Sequence, residues 1–226
     1  MPDFLIIGAA KCGTTSLYDL LTRHPHVEHA ALKELRYFDQ NFDKGIEWYR
    51  SQFPPPEWKD GRRSITGEAT PYLKHPSVPE RIARVVPRAR LIVLLRNPVD
   101  RSYSLYHHEV RHGRESRSYE ETTLEAPKYL SGSIYVDHLR RWSEFFGDEQ
   151  MLVLKSEDFF ERELETLKLV LGFLGLPDWE PEEAPKVRNR GRYEQGMDPS
   201  TRKQLEDYFE PHNQRLYEYL GVDLGW

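Results

Sequence analysis

Gly8 and Gly13 bracket four residues in the run FLIIGAAKCGTTSLYDLL, with Lys11 inside the bracket and Thr14, Thr15 and Ser16 directly after it. Glycines at this spacing let a loop turn tightly and aim backbone N–H groups at an anion, and a following helix adds the positive end of its dipole. The pattern matches the phosphate loop G-x-x-x-x-G-K-[ST] as far as its second glycine. Thr14 then stands where the lysine belongs, and the lysine lies two residues before Gly13. Such a loop can still hold a phosphate through N–H groups, hydroxyls and the Lys11 ammonium. The alternative is a glycine turn with a solvated lysine.

A second cationic position closes the apolar run ARLIVLL. Phosphate-loop nucleotidases keep an acid at the end of such a strand to share Mg²⁺, whereas this run ends in Arg96-Asn97-Pro98. A cation there favours direct anion contact, so no metal is expected. Arg101 and Ser104 fall on the first turns of the helix that follows, and Arg96 with Ser104 can face a second phosphate. The alternative is an Arg96 paired with a surface acid. Two anion sites at the ends of two strands suggest a nucleotide phosphorylated on both sides of its ribose.

These positions need strands and helices to hold them. The run from Phe4 to Gly8 reads as a buried strand, TTSLYDLLTRHP as a helix, KGIEWYRSQFPPP as a short helix closed by prolines, and SITGEATPYL as a strand entering a loop. SVPERIARVVP is a helix and ARLIVLLRNP a strand. Helices are expected from about Pro98 to His112 and from about Ser133 to Phe146, with a strand at QMLVLKSEDF. Leu164, Leu167, Leu171 and Leu174 recur at helical spacing before the stop GLP. Asp198 should cap the last helix, with Pro199 in its first turn and Pro211 bending or interrupting it. Strands alternating with helices give an α/β fold, a mainly parallel sheet covered by helices on both faces. One domain over residues 1–226 is expected, with PDWEPEEAPK as a surface connection.

Composition bounds the function. The 226 residues include 28 aromatics (5 Trp, 13 Tyr, 10 Phe), enough bulk for an enzyme-sized core. A net charge of −5 gives no overall preference for nucleic acid or anionic membrane, so any anion site is local. The lone Cys12 excludes an internal disulfide and any cysteine-clustered metal site. Neither a signal peptide nor a membrane span is apparent, and a cytoplasmic protein is expected.

Taken in order, FLIIGAAKCGTTSLYDLLTRHP, KELRYFD, RLIVLLRNPVDRSYSLYHH and RGRY resemble the sulfotransferases that use 3′-phosphoadenosine 5′-phosphosulfate. The likeness is nearest to the branch of heparan sulfate N- and 3-O-sulfotransferases. It spans nearly the whole chain, since KGIEWYRSQFP, VPERIARVVP and the C-terminal run from Met197 also have counterparts. It implies the phosphate-loop-like sulfotransferase fold, and the lone cysteine with the absence of a cysteine-bonded hairpin found in secreted relatives suggests a stand-alone bacterial member. It also implies that Lys11, Cys12, Gly13, Thr14, Thr15 and Ser16 cradle the 5′-phosphosulfate while Arg96 and Ser104 hold the 3′-phosphate. Arg190, Gly191 and Arg192 are implied to fold over the nucleotide. Ser133 and Tyr135 are implied to lie where relatives line the nucleotide or acceptor cleft.

The resemblance makes Glu34 the base, and a partly buried glutamate with a raised pKa could accept a proton from a hydroxyl or ammonium group. Lys11 would meet the charge that develops on the leaving phosphate oxygen, without a metal. His107 and His108 are rival bases, because other branches use histidine, or are structural. Lys33 either helps bind an anionic acceptor or is solvated. Two departures bear on the substrate. Ala69 stands where glycosaminoglycan-type enzymes usually carry an acceptor-site lysine, and the cysteine-bonded hairpin of the secreted enzymes is missing. The acceptor therefore stays open among sugar hydroxyls, amines, phenols and lipid-linked groups. The alternatives are a small-molecule kinase, which needs Mg²⁺, and a non-catalytic nucleotide-binding module.

Overall fold

Four consecutive apolar residues, Phe4 to Ile7, are completely buried and form β1 (Phe4–Gly8). The computed structural model describes residues 1–125, 129–182 and 196–226. After β1 come α1 (Thr14–Leu21), β2 (Val27–Glu28), α2 (Gly45–Ser51), β3 (Trp58–Lys59), β4 (Arg62–Arg63), β5 (Ile65–Ala69), α3 (Val78–Val85) and β6 (Arg90–Leu95). Then follow α4 (Pro98–Arg111), α5 (Tyr119–Glu125), α6 (Tyr135–Ser143), β7 (Met151–Lys155), α7 (Ser156–Glu161), α8 (Glu163–Leu174) and α9 (Pro199–Leu220). Two compact units result: Met1–Leu95 with Arg141–Arg188, and Arg96–Arg140 with Asn189–Trp226.

The first unit holds a five-stranded sheet in the order β2-β5-β1-β6-β7, every pairing parallel. Of its inner strands β1 and β6 are apolar runs, as suits strands between two layers of helices, whereas β5 carries Thr66 and Glu68. β1 lies between β5 and β6, so the strand order reverses there, and the crevice beyond the carboxyl ends of such strands is where open α/β sheets take ligands. Gly67 of β5 faces the Phe4 ring so closely that a Cβ would come within 2.6 Å of it. The β1–β6 register shifts between Ile6 and Gly8, where the chain leaves the sheet for its loop.

The second unit packs α4 against α9 around Val99, Tyr119, Leu130, Leu205 and Phe209. Asn97 caps α4, its Oδ1 accepting from the N–H groups of Val99 at 3.0 Å and Asp100 at 3.3 Å. Asp198 caps α9 in the same way through Ser200 and Thr201, as expected.

Three details go beyond the sequence reading. Of the two outcomes expected at Pro211, interruption is ruled out, because the helix α9 continues through it. Leu205 and Phe209 before the proline and Asn213 and Leu216 after it are all buried, and this anchoring on both sides outweighs one lost backbone bond. Leu164 is 41% exposed although Leu167, Leu171 and Leu174 are buried, because α8 begins only at Glu163 and its first turn lies outside the apolar stripe. The helix expected from Ser133 begins at Tyr135, after a 3₁₀ turn over Ser131–Ser133. The hairpin of β3 and β4 was not anticipated, although its Asp60-Gly61 turn, with φ 50° and 74°, is a common hairpin signal. No described helix is long and apolar enough to cross a membrane.

Candidate active site

The loop from Gly8 to Gly13 is shaped by three left-handed residues: Gly8 (φ 144°), Lys11 (φ 72°) and Gly13 (φ 91°). Lys11 is the costly one, because a side chain in this region is disfavoured by about 1–2 kcal/mol. The loop is fastened at both ends. Ala9 N–H donates to Leu94 O of β6 at 2.7 Å, and Ser156 Oγ donates to Cys12 O at 2.7 Å. Cys12 is buried, so of this residue only the backbone, not the thiol, is placed to meet an anion. Gly13 is the N-cap of α1 and supplies no side-chain acceptor to the first turn. A Cβ on it would meet the Phe160 ring at 2.8 Å. The helix start is thus left to receive an acceptor from outside, which is the geometry of an anion cradle.

The segment with Lys33 and Glu34 is built by a second pair of left-handed residues, Glu34 (φ 52°) and Arg36 (φ 49°). The resulting zigzag sends Leu35, Tyr37 and Phe38 into the core and keeps Lys33 and Glu34 outside. Tyr37 stacks on Tyr49 of α2 with ring centroids 4.4 Å apart, and Phe38 meets Tyr49 and Tyr72 edge-on. Lys33 Nζ donates to Thr15 Oγ1 at 2.8 Å, which brings this segment to the first turn of α1. Glu34 Oε2 accepts from Arg36 Nη2 at 3.1 Å, while Arg36 Nη1 reaches Asp39 at 3.2 Å. The Glu34 side chain remains 39% exposed, more open than the partly buried carboxyl expected.

The buried carboxyl of this region is Glu68 of β5, only 1% exposed. Its Oε1 accepts from Tyr49 Oη at 2.6 Å and Tyr72 Oη at 3.5 Å, and its Oε2 from Thr70 Oγ1 at 2.6 Å. The Leu35 N–H is a further donor. Burial pushes this carboxyl up to about 7, against the pull of those four donors. Burial likewise holds the Tyr49 and Tyr72 phenols above their usual range, with the neighbouring Glu68 adding to it. Sequence reasoning missed Glu68. Its one signal was an acid inside the otherwise uncharged strand ITGEA.

In the second unit Arg96 directly follows β6, and its carbonyl accepts from Tyr135 Oη at 2.9 Å. Asn97, Arg101 and Ser104 recur at i, i+4 and i+7 along one face of α4. Arg101 is 2% exposed and donates to Ser133 Oγ at 3.0 Å, and Ser133 Oγ donates to Pro98 O at 3.3 Å. Ser133 and Tyr135 therefore brace the turn that carries Arg96, both buried beneath it. Ser104 is buried on α4 and Arg96 half-buried before the cap. His107 packs edge-on against Tyr103 at 4.3 Å and Tyr106 at 5.1 Å. Burial, helped by Arg111, lowers its pKa. His108 lies against His112, ring centroids 4.2 Å apart. Arg190, Gly191 and Arg192 lie outside the described residues.

A loop that leaves a helix start open, joined by a lysine to a strained glutamate segment, is a set of parts for transferring an anionic group. Residues 1–196 match the sequence model of the sulfotransferase domain. The chain belongs to the sulfotransferase family. The human heparan sulfate glucosamine 3-O-sulfotransferase 5 is 30% identical to it over 269 residues, covering 100% of this chain and 74% of that protein. A bifunctional heparan sulfate N-deacetylase/N-sulfotransferase 1 of Caenorhabditis elegans is 28% identical, and the match covers 97% of this chain but only 30% of that longer protein. Among solved structures, a sulfotransferase from Alicyclobacillus acidocaldarius superposes with a TM-score of 0.83 at 29% identity, over 99% of this chain and 97% of that one. The mouse sulfotransferase SULT7A1, solved with PAP, shares the fold at a TM-score of 0.56 and 19% identity. This sulfotransferase thus carries the expected phosphate-loop-like α/β fold and is a group-transferring enzyme.

Proposed function

We propose that this sulfotransferase moves a sulfuryl group from 3′-phosphoadenosine 5′-phosphosulfate to a hydroxyl or amine of a carbohydrate acceptor. The observation that carries the reading is the bond from Lys33 to Thr15, which joins the Glu34 segment to the phosphate loop, with Lys11 and Glu34 both held in left-handed conformations. Strain of about 1–3 kcal/mol per residue persists only where the surroundings impose it, and such sites are typically functional. When bound, the donor supplies an activated sulfuryl group whose S–O bond to the 5′-phosphate breaks as the bond from sulfur to the acceptor O or N forms.

The residues of the chain do the rest. Backbone N–H groups at the start of α1, with the hydroxyls of Thr14, Thr15 and Ser16, receive the 5′-phosphate oxygens. Lys11 meets the negative charge gained by the leaving oxygen. Glu34 takes the proton released by the acceptor, and Lys33 holds the Glu34 segment against the loop. Arg96 and Ser104 bind the 3′-phosphate. Glu68, the acid on the strand beside β1, has both oxygens committed to buried donors, which supports chemistry without a carboxylate-held metal.

Calorimetry tests the nucleotide assignment. The enzyme should bind 3′-phosphoadenosine 5′-phosphate more tightly than adenosine 5′-phosphate, and Arg96→Ala should remove about 2 kcal/mol of that preference, the worth of a charge-assisted contact. Equal affinities for the two nucleotides would sink it. Radiolabelled donor offered with heparan sulfate, neutral oligosaccharides, simple amines and simple phenols would identify the acceptor class, and labelling of the phenols alone would overturn a carbohydrate acceptor.

A further inference from the structure

Glu34 stands exposed at a sharp, left-handed bend, and an exposed bend keeps its shape only if something beneath it is fixed. The residue directly after it, Leu35, is 3% exposed, so its backbone N–H is shielded from water. That N–H donates to Glu68. The same carboxylate holds Tyr49 of α2 and Tyr72, and Tyr72 Oη in turn accepts from the Phe38 N–H at 3.5 Å. Tyr49 carries the stacked ring of Tyr37. Every inward anchor of the Glu34 segment, Leu35, Tyr37 and Phe38, therefore reaches Glu68 directly or through one tyrosine.

A second strut comes from α1. Tyr18 Oη donates to Gly67 O at 3.1 Å, beside Glu68 in β5, and accepts from the Ala30 N–H at 3.1 Å. The strand that bears Glu68 is thereby tied to both ends of the segment carrying Lys33 and Glu34. Four donors converging on one buried acid suit the carboxylate that Glu68 becomes above about pH 7, which accepts through two oxygens with about four lone-pair sites. An amide in its place offers one accepting oxygen and two N–H donors, so it cannot satisfy the same set.

We infer that Glu68 is a positioning residue for the transfer reaction: it fixes the backbone at Leu35 and through it the direction in which the Glu34 carboxylate meets the acceptor. With 1% exposure it does not touch substrate itself. The inference rests on the assignment of Glu34 as the base, and the experiment separates the two. Initial rates are measured above pH 7, where Glu68 is ionised, with radiolabelled donor and heparan sulfate, or with whichever class the acceptor screen selects, for wild type, Glu34→Gln, Glu68→Gln and the double variant. Glu34→Gln should lose about 100- to 10,000-fold in kcat, the range for a general base. Glu68→Gln should lose roughly 10- to 100-fold in kcat, as a small misplacement of a reacting group does, with the KM for donor and the affinity for 3′-phosphoadenosine 5′-phosphate unchanged. The double variant should be no slower than Glu34→Gln alone, since a misdirected base that has been removed costs nothing more.

A folded Glu68→Gln enzyme with normal kcat overturns the inference while leaving Glu34 as the base. Losses that multiply in the double variant also overturn it, because Glu68 then acts by another route. A Glu34→Gln enzyme with normal kcat removes the base and the inference together. Should Glu68→Gln fail to fold, Tyr49→Phe serves in its place. It deletes one donor to Glu68, keeps the ring against Tyr37, and should show a smaller kcat loss that Glu34→Gln again conceals.

Discussion

Lys11 sets a cost to the fold against the chemistry proposed for it. Its φ of 72° carries a penalty that glycine would escape, yet the loop keeps a long cationic side chain there. In the usual phosphate loop the lysine follows the second glycine and rises from the helix, whereas here it rises from the middle of the loop and the helix begins with two threonines. An ammonium in that place is suited to charge that builds on the oxygen being released, more than to a resting phosphate. Lys11→Ala should therefore lower kcat by roughly 100-fold or more, the loss seen when one electrostatic stabiliser is removed, with little change in affinity for 3′-phosphoadenosine 5′-phosphate. Parallel rate and calorimetric measurements check this, and weaker binding at an unchanged rate would make Lys11 an anchor only. Lys33, left open in the sequence between an acceptor contact and a solvated side chain, bonds to Thr15 in the first turn of α1.

At the scale of elements, the site depends on where β1 stops and α1 starts. Gly13 marks that boundary with φ 91° and a Cβ direction filled by Phe160, while Gly61 in the β3–β4 turn has φ 74° and open space around it. The two glycines separate backbone strain from site geometry. Gly13→Ala and Gly61→Ala should each cost on the order of 1–2 kcal/mol in thermal unfolding, but only Gly13→Ala should weaken binding of 3′-phosphoadenosine 5′-phosphate. Loss of nucleotide affinity in both, or in neither, would mean that the boundary is not a built cradle. The elements that carry these parts were legible because each is strongly patterned: β1 and β6 are unbroken apolar runs, and α4 and α9 announce their caps at Asn97 and Asp198. The short pairs β2, β3 and β4 are two residues each and leave no periodicity to read. Pro211 could not be resolved between a bend and a break, because a local penalty says nothing of the buried residues on either side. Glu68 escaped notice because its importance lies in four donors drawn from α2, the Glu34 segment and the turn after β5, contacts that only the fold brings together.

For the whole molecule, the charge of −5 is a poor guide to behaviour, because the acid that matters most for pH is buried. Glu68 holds its proton up to about pH 7 in the folded chain, against an ordinary value of 4.5. Between these values the folded state binds more protons than the unfolded one, so this residue's contribution to stability is fully present below pH 4.5 and is lost as pH rises to about 7. The donors around it, Leu35 N–H, Thr70, Tyr49 and Tyr72, pull the other way, and the nearby phenol of Tyr18 stays protonated throughout because burial raises it. His24, His75 and His107, whose pKa values burial lowers, contribute the opposite slope, since the unfolded chain binds more protons near their ordinary value of 6.5. The raw curve of Tm against pH therefore mixes both signs, and the difference between wild type and Glu68→Gln isolates the acid. Relative to the variant, wild type should lose stability from pH 4.5 to 7, on the order of 3 kcal/mol at about 1.4 kcal/mol per pH unit, or several degrees in Tm for a chain of this size. Above pH 7 the difference should level off. A difference curve that is flat from pH 4.5 to 7 would mean that Glu68 ionises normally, and one that rises with pH would mean that its four donors outweigh its burial.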